Sequence, residues 1–257
     1  MARRRNSSRR RRRGSSGFLY KLLSMLAICA VIIVALTLFF RVETIVVTGT
    51  ERYTAEEVIQ ASGVETGDNL FLLNKPTVNQ RIRDALPYVE RVKRINRKLP
   101  DTLLIEVEEC GTPLAVVQDG SAWLVSPLGK IVEQLPAGQA EGYAVIDGCQ
   151  LLTPTVGTKI ALATEYNAKK ESLLDLLAAL EEAEMLDQVE AIHLEDASTL
   201  TMEYGGRFLV EMPYRADYQR KLQTLRLAVE KLETNQTGTI QLLQEDRYAA
   251  NFIPGNR

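Results

Sequence analysis

The chain has 257 residues, 46% of them hydrophobic and 25% charged, with 31 Lys and Arg against 33 Asp and Glu, one histidine and three cysteines. Nine of the 31 basic residues lie in positions 1–40, which hold no acid, so the remainder carries 22 basic against 33 acidic residues. So acidic a body argues against polyanion binding, and a lone histidine without Cys or His at ligand spacing argues against a metal centre or a histidine-dependent enzyme.

The first element is membrane-related. Arg3, Arg4, Arg5, Arg9, Arg10, Arg11, Arg12 and Arg13 precede Leu22–Phe40, 19 residues without a charge. About 20 apolar residues at 1.5 Å rise cross a hydrocarbon core of roughly 30 Å. The positive-inside rule keeps the arginines cytoplasmic, so the body beyond Phe40 is expected outside. A cleaved signal peptide fits poorly, because the run is too long and Leu36 to Arg41 offers no small-x-small site. Leu26-Ala27-Ile28-Cys29 only faintly suggests a lipoprotein box, and Cys29 reads as a membrane residue. The arginine tail lacks interleaved aromatics, so it reads as a topology signal and lipid contact rather than a nucleic-acid arm. Ala2 to Gly17 has the composition of a disordered segment.

Val42 to Gly49 is β-branched and reads as a strand. Thr54-Ala55-Glu56-Glu57 is a capping box opening a helix that stops at Gly63. Pro76 suits the first turn of a second helix, with Val78, Ile82, Ala85 and Leu86 on one face and Pro87 ending it. Val89 to Arg97 is expected to be a strand with Val89, Arg91, Lys93, Ile95 and Arg97 on one side. After a turn at Lys98-Leu99-Pro100-Asp101, Leu103, Ile105 and Val107 alternate with Leu104, Glu106 and Glu108 as a half-buried strand. The order strand–helix–helix–strand–strand predicts a terminal hairpin with both helices on one face of a small sheet.

Leu114 to Gln118 and Ala122 to Val125 flank an Asp119-Gly120 turn and predict a hairpin. Gly- and Pro-rich linking residues follow. A helix is expected over Asn167 to Leu186. Strands follow at Val189–Glu195, Thr199–Tyr204 and Arg207–Met212, the last two joined by Gly205-Gly206. A helix over Asp217 to Leu232 precedes two strands, Gly238–Leu243 and Arg247–Ile253. His193 sits in an alternating strand and reads as structural. Glu181, Glu182 and Glu184 read as a solvated helix face. Cys110 and Cys149 leave two readings open, a disulfide in an oxidising compartment or two partly buried thiols. Neither a phosphate-binding glycine loop nor a nucleophile elbow occurs.

Val47-Thr48-Gly49, Val89-Glu90-Arg91-Val92, Arg97-Lys98-Leu99-Pro100-Asp101-Thr102-Leu103 and Ile105-Glu106-Val107-Glu108-Glu109 together resemble the polypeptide-transport-associated (POTRA) domain of the FtsQ/DivIB cell-division family. Trp123 to Val132 resembles that family's D-x-x-G-x-V hairpin element, with Ser126 where Asp is common, and Lys221-Leu222-Gln223-Thr224-Leu225 resembles its K-L-x-x-L helix. The resemblance implies an α+β chain: a cytoplasmic tail (1–18), a transmembrane helix (19–40), a POTRA-like βααββ domain (41–109) and a β domain (110–254) with helices packed on a mixed sheet. It implies a non-enzymatic, single-pass membrane protein of the division septum, without cofactor, nucleic acid or small-molecule substrate.

An exposed terminal strand has unpaired backbone groups that accept a partner strand. The resemblance implies that the terminal strands receive a segment of an FtsB/DivIC-like bitopic protein, with an FtsL-like protein in the same complex. The residues expected there are Arg247, Tyr248, Ala249, Ala250, Asn251, Phe252 and Ile253, with Lys221 and Arg247 facing acids of the partner. The rival readings are a POTRA-bearing transport component, which predicts repeats or a barrel, and an anchored wall enzyme, which predicts a partnered nucleophile or metal cluster.

Overall fold

A computed structural model describes residues 16–163, 166–244 and 249–255. Helix α1 (Ser16–Phe39) is solvent-exposed from Phe18 to Leu36 and contains a 20-residue span, Phe18–Thr37, long and apolar enough to cross a bilayer.

The next unit is β1 (Thr44–Thr48), α2 (Ala55–Ser62), α3 (Lys75–Ala85), β2 (Val89–Lys98) and β3 (Thr102–Glu109). The sheet order is β1-β3-β2, with β1 parallel and β2 antiparallel to β3. Both helices begin as their sequences predict. The Thr54 hydroxyl accepts from the Glu57 amide while the Glu57 carboxylate takes the Thr54 amide, and Asn74 caps α3 with Pro76 in its first turn. Val58, Val78, Ile82, Leu103, Ile105 and Val107 form the core between helices and sheet.

Two motif residues have clear jobs. Gly49 has φ +84°, and a Cβ there would sit 2.0 Å from the Val107 carbonyl oxygen, so only glycine lets β1 leave the sheet so close to β3. The Glu109 carboxylate accepts three successive amides, from Glu51, Arg52 and Tyr53, at 2.9, 2.7 and 3.1 Å, and fixes the loop into α2.

Strand β2 departs from the expected alternation. Register shifts at Val89/Arg91 and Val92/Arg94 insert extra residues, so Val89, Val92 and Ile95 all reach the core while Arg91 and Lys93 stay exposed. Bulges of this kind reset the two-residue period. Arg91 and Lys93 pair with Glu108 on the outer face, both at 3.0 Å.

The second sheet has nine strands in the order β12-β11-β10-β9-β8-β7-β4-β5-β6. They are β4 (Leu114–Gln118), β5 (Ser121–Val125), β6 (Ile131–Pro136), β7 (Val145–Asp147), β8 (Val189–His193), β9 (Thr199–Tyr204), β10 (Phe208–Pro213), β11 (Gly238–Gln241) and β12 (Asn251–Pro254). Positive φ at Asp119 and Gly120, and at Gly205 and Gly206, makes both predicted turns of the primed type.

Helix α4 (Asn167–Glu182) connects parallel β7 and β8, and α5 (Tyr218–Lys231) connects parallel β10 and β11. Leu173, Leu176, Leu177 and Leu180 of α4 and Leu222 and Leu225 of α5 share one core cluster with the sheet. Helix α4 is shorter than expected because the chain turns at Glu184 (φ +54°) before a short 3-10 segment, Leu186–Gln188. The region expected to be linking residues contains β7, whose Ile146 is buried and which joins the β4–β5–β6 meander to the rest of the sheet.

Candidate functional site: the terminal sheet edge

The nine-stranded sheet ends in β12, a four-residue strand whose neighbour is β11. The register pairs Gly238 with Pro254, Thr239 with Ile253, Ile240 with Phe252 and Gln241 with Asn251. Phe252 turns inward, half-buried against the core and edge-to-face with Phe208 at 6.3 Å between ring centroids. Asn251 and Ile253 are exposed, and the Asn251 side-chain carboxamide nitrogen donates to the Gln241 side-chain oxygen at 3.0 Å.

The Gly255 amide donates to the Thr237 carbonyl at 2.9 Å. Antiparallel ladders alternate, so residues 251 and 253 turn their backbone groups toward β11, and residues 250, 252 and 254 turn theirs outward. Pro254 therefore places its missing N–H on the outer side, where a proline belongs in an edge strand. The outer row consists of the N–H and C=O of Ala250 and Phe252 and the C=O of Pro254.

Gly238 sits under this strand at φ +152°, and a Cβ there would lie 2.2 Å from the Ile253 carbonyl oxygen. Close approach of β12 thus depends on that glycine.

Of the predicted site residues, Asn251, Phe252 and Ile253 fall on β12, and Ala249 and Ala250 lead into it. Arg247 and Tyr248 lie outside the described residues. Lys221 is buried on α5, and its ammonium donates to the Gln244 carbonyl just after β11.

A second polar cluster, absent from the sequence-based expectations, joins the two sheets. Glu90, Ser126 and Lys130 are all buried. The Ser126 hydroxyl donates to Glu90 at 2.8 Å and accepts the Lys130 amide at 3.1 Å. The Lys130 ammonium donates to the carbonyls of Arg83, at the end of α3, and Val89, at 2.7 and 3.3 Å. Burial pushes the Glu90 carboxyl upward against the pull of the Ser126 hydroxyl and the Lys130 charge. Burial and the Arg83 charge push the Lys130 ammonium downward, with Glu90 opposing. Beside this cluster the Tyr88 hydroxyl donates to Glu133, and the Arg52 guanidinium lies 3.7 Å from the Tyr88 ring centroid. The only sequence signal was Ser126 standing where the related pattern has Asp.

His193 bonds the Asp147 carboxylate at 2.8 Å and Glu203 at 3.3 Å, tying β7, β8 and β9 together. Its partial burial pulls its pKa down, but the two carboxylates outweigh that and raise it. Cys110 and Cys149 are free thiols, pushed by burial to about 12 and about 11. Among the described residues no His, Cys, Asp and Glu group could hold a metal.

The family model described as "POTRA domain, FtsQ-type" matches residues 40–109. Cell division protein FtsQ of Geotalea daltonii is 29% identical over 207 residues, covering 79% of this chain and 71% of that protein. FtsQ of Syntrophotalea carbinolica is 28% identical over 201 residues, covering 76% and 67%. Cell division protein DivIB of Clostridium tetani is 21% identical over 166 residues, covering 65% and 61%. Over most of its length the chain is similar to cell-division proteins named FtsQ and DivIB. The relatives are named as cell-division proteins, and the βααββ unit of this chain is the region that matches the FtsQ-type POTRA model. The signature glutamate at 109 and glycine at 49 are explained by the amides and the backbone approach described above.

Proposed function

We propose that this protein is an FtsQ/DivIB-family bitopic scaffold that binds an FtsB/DivIC-like partner by strand addition to the outer edge of β12. The partner site comprises Arg247, Tyr248, Ala249, Ala250, Asn251, Phe252 and Ile253, with Lys221 supporting the preceding segment through Gln244. An FtsL-like protein joins the same complex, and the assembly regulates septal wall synthesis. The arginine tail is cytoplasmic, α1 spans the membrane, and the POTRA region and β domain (41–109 and 110–254) stand outside at the division septum.

One observation carries this reading: the sheet ends in a short strand with an outward row of backbone donors and acceptors and a lone inward anchor, Phe252. Binding of residues 41–257 to the extracytoplasmic part of the FtsB/DivIC-like partner tests it, beside a version ending at Asp246. Loss of binding with the remaining fold intact is the expected result. Full binding by the shortened protein would move the site elsewhere.

A further inference from the structure

The loop between α2 and α3 meets the end of α1. The Asn69 carboxamide nitrogen donates to the carbonyls of Leu36 and Thr37 at 3.4 and 3.2 Å, and the Leu70 amide donates to the Phe40 carbonyl at 3.0 Å. Arg41 and Asn69 form a bridge, and Val42 bonds Asp68 and Gly67. Residues 67–70 are therefore stitched to the last turn of the apolar helix, through Asn69, and to the residues that leave it, Phe40 to Val42.

The next two residues are large, apolar and uncovered. Phe71 is 48% and Leu72 77% exposed. Phe40 stacks edge-to-face on Phe71 at 5.0 Å and on Phe39 at 5.3 Å, which makes an aromatic step from helix to loop. The loop backbone is satisfied internally: Asn69 Oδ1 accepts the amides of Phe71 and Leu72 at 2.9 and 3.3 Å. Paired backbone donors are what a segment needs before it enters a medium without water. Arg41 is exposed beside the loop, and Arg97 holds the Leu73 carbonyl at 3.0 Å.

We infer that the Phe71–Leu72 loop inserts into the lipid interface of the leaflet where α1 emerges, giving the POTRA region a second membrane contact. This rests on the reading of α1 as a membrane span. The occupant follows from continuity. A helix whose apolar run is about as long as the hydrocarbon core is thick ends near the headgroups, and Asn69 fixes the loop to that end. Aromatic and cationic side chains such as Phe40, Phe71 and Arg41 suit that depth. Seated so, the POTRA sheet cannot rotate freely about the end of α1.

The test uses the full chain in phosphatidylcholine–phosphatidylglycerol vesicles, with and without bromine near the glycerol end of the acyl chains. Each variant carries Trp123→Phe and one new indole, from Ile32→Trp, Leu72→Trp or Leu227→Trp. Leu72 and Leu227 are both well exposed, so neither indole disturbs a core. The Ile32→Trp variant loses emission in bromolipid if α1 spans the membrane. The expected result is that Leu72→Trp also loses emission in bromolipid, because a side chain buried about 5–10 Å into the headgroup–acyl boundary lies at the depth of the bromine, and that Leu227→Trp does not. Quenching in Ile32→Trp alone overturns the second contact while leaving the span intact. No quenching in Ile32→Trp overturns the span itself and the inference with it.

Discussion

Replacing Lys130 by methionine tests whether the buried cluster couples the two sheets. Methionine keeps most of the side-chain volume, so packing changes little. The substitution removes two charge-assisted hydrogen bonds, to Arg83 and Val89, each contributing about 1.5–3 kcal/mol. It strands the Arg83 carbonyl, one of the orphan acceptors ending α3, and takes away one of the positive charges, Lys130 beside Arg91, that favour the ionised form of buried Glu90. Leaving a buried acceptor without its donor costs about 1–3 kcal/mol. Relief of the burial that depresses the Lys130 pKa offsets part of this, so we expect a loss of about 3 kcal/mol. Urea denaturation of residues 41–257, followed by Trp123 fluorescence and far-ultraviolet circular dichroism, reads the effect. With a slope near 3 kcal/mol/M, the midpoint should fall by roughly 1 M. Hydrogen exchange should show α3 losing protection. A midpoint indistinguishable from the parent's would refute the reasoning, because it would mean that solvent replaces the ammonium without cost.

Further outcomes follow from the same geometry. Gly238→Ala drives a Cβ against the Ile253 carbonyl, so β12 should separate from β11 and partner binding, read by calorimetry, should weaken at least about tenfold, or about 1.4 kcal/mol. His193 has a folded pKa above its unfolded one, so the stabilisation it supplies is complete below about pH 6.5 and disappears as pH rises through the folded value. His193→Gln should therefore cost about 1 kcal/mol or less at pH 5.5 and nearly nothing at pH 8.5, as read by urea midpoints at the two pH values. Cys110 and Cys149, held protonated by burial, should resist iodoacetamide at pH 8 in the folded protein and react in urea, as mass spectrometry would show.

Local chemistry made much of this fold readable. The Thr54 capping box, Pro76, and the Asp119-Gly120 and Gly205-Gly206 turns each depend on neighbours within a few residues, and each appears as expected. Strand β2 was harder, because its two bulges are decided by pairing with β3 and the sequence alone implies a uniform alternation. Three-residue β7 is too short to show a period, yet it lies near the sheet centre because β4 and β8 both pair with it. The Glu90–Ser126–Lys130 cluster joins residues about 40 positions apart, which no local pattern reveals. Asn251 to Ile253 could be placed on a terminal strand from composition and position, but the strand expected from Arg247 begins among the described residues only at Asn251, with Ala249 and Ala250 leading into it. That β12 is an edge rather than an internal strand is a property of the whole sheet order.

Amide hydrogen exchange at single-residue resolution, with and without the FtsB/DivIC-like segment, tests strand addition most directly. The amides of Asn251 and Ile253 face β11 and should already be protected in the free protein. The amides of Ala250 and Phe252 face outward and should gain protection of about a hundredfold or more when a partner strand pairs with them, equivalent to about 2.7 kcal/mol. Unchanged exchange at Ala250 and Phe252 in a saturated complex would contradict the account, because the partner would then be bound without using the β12 edge.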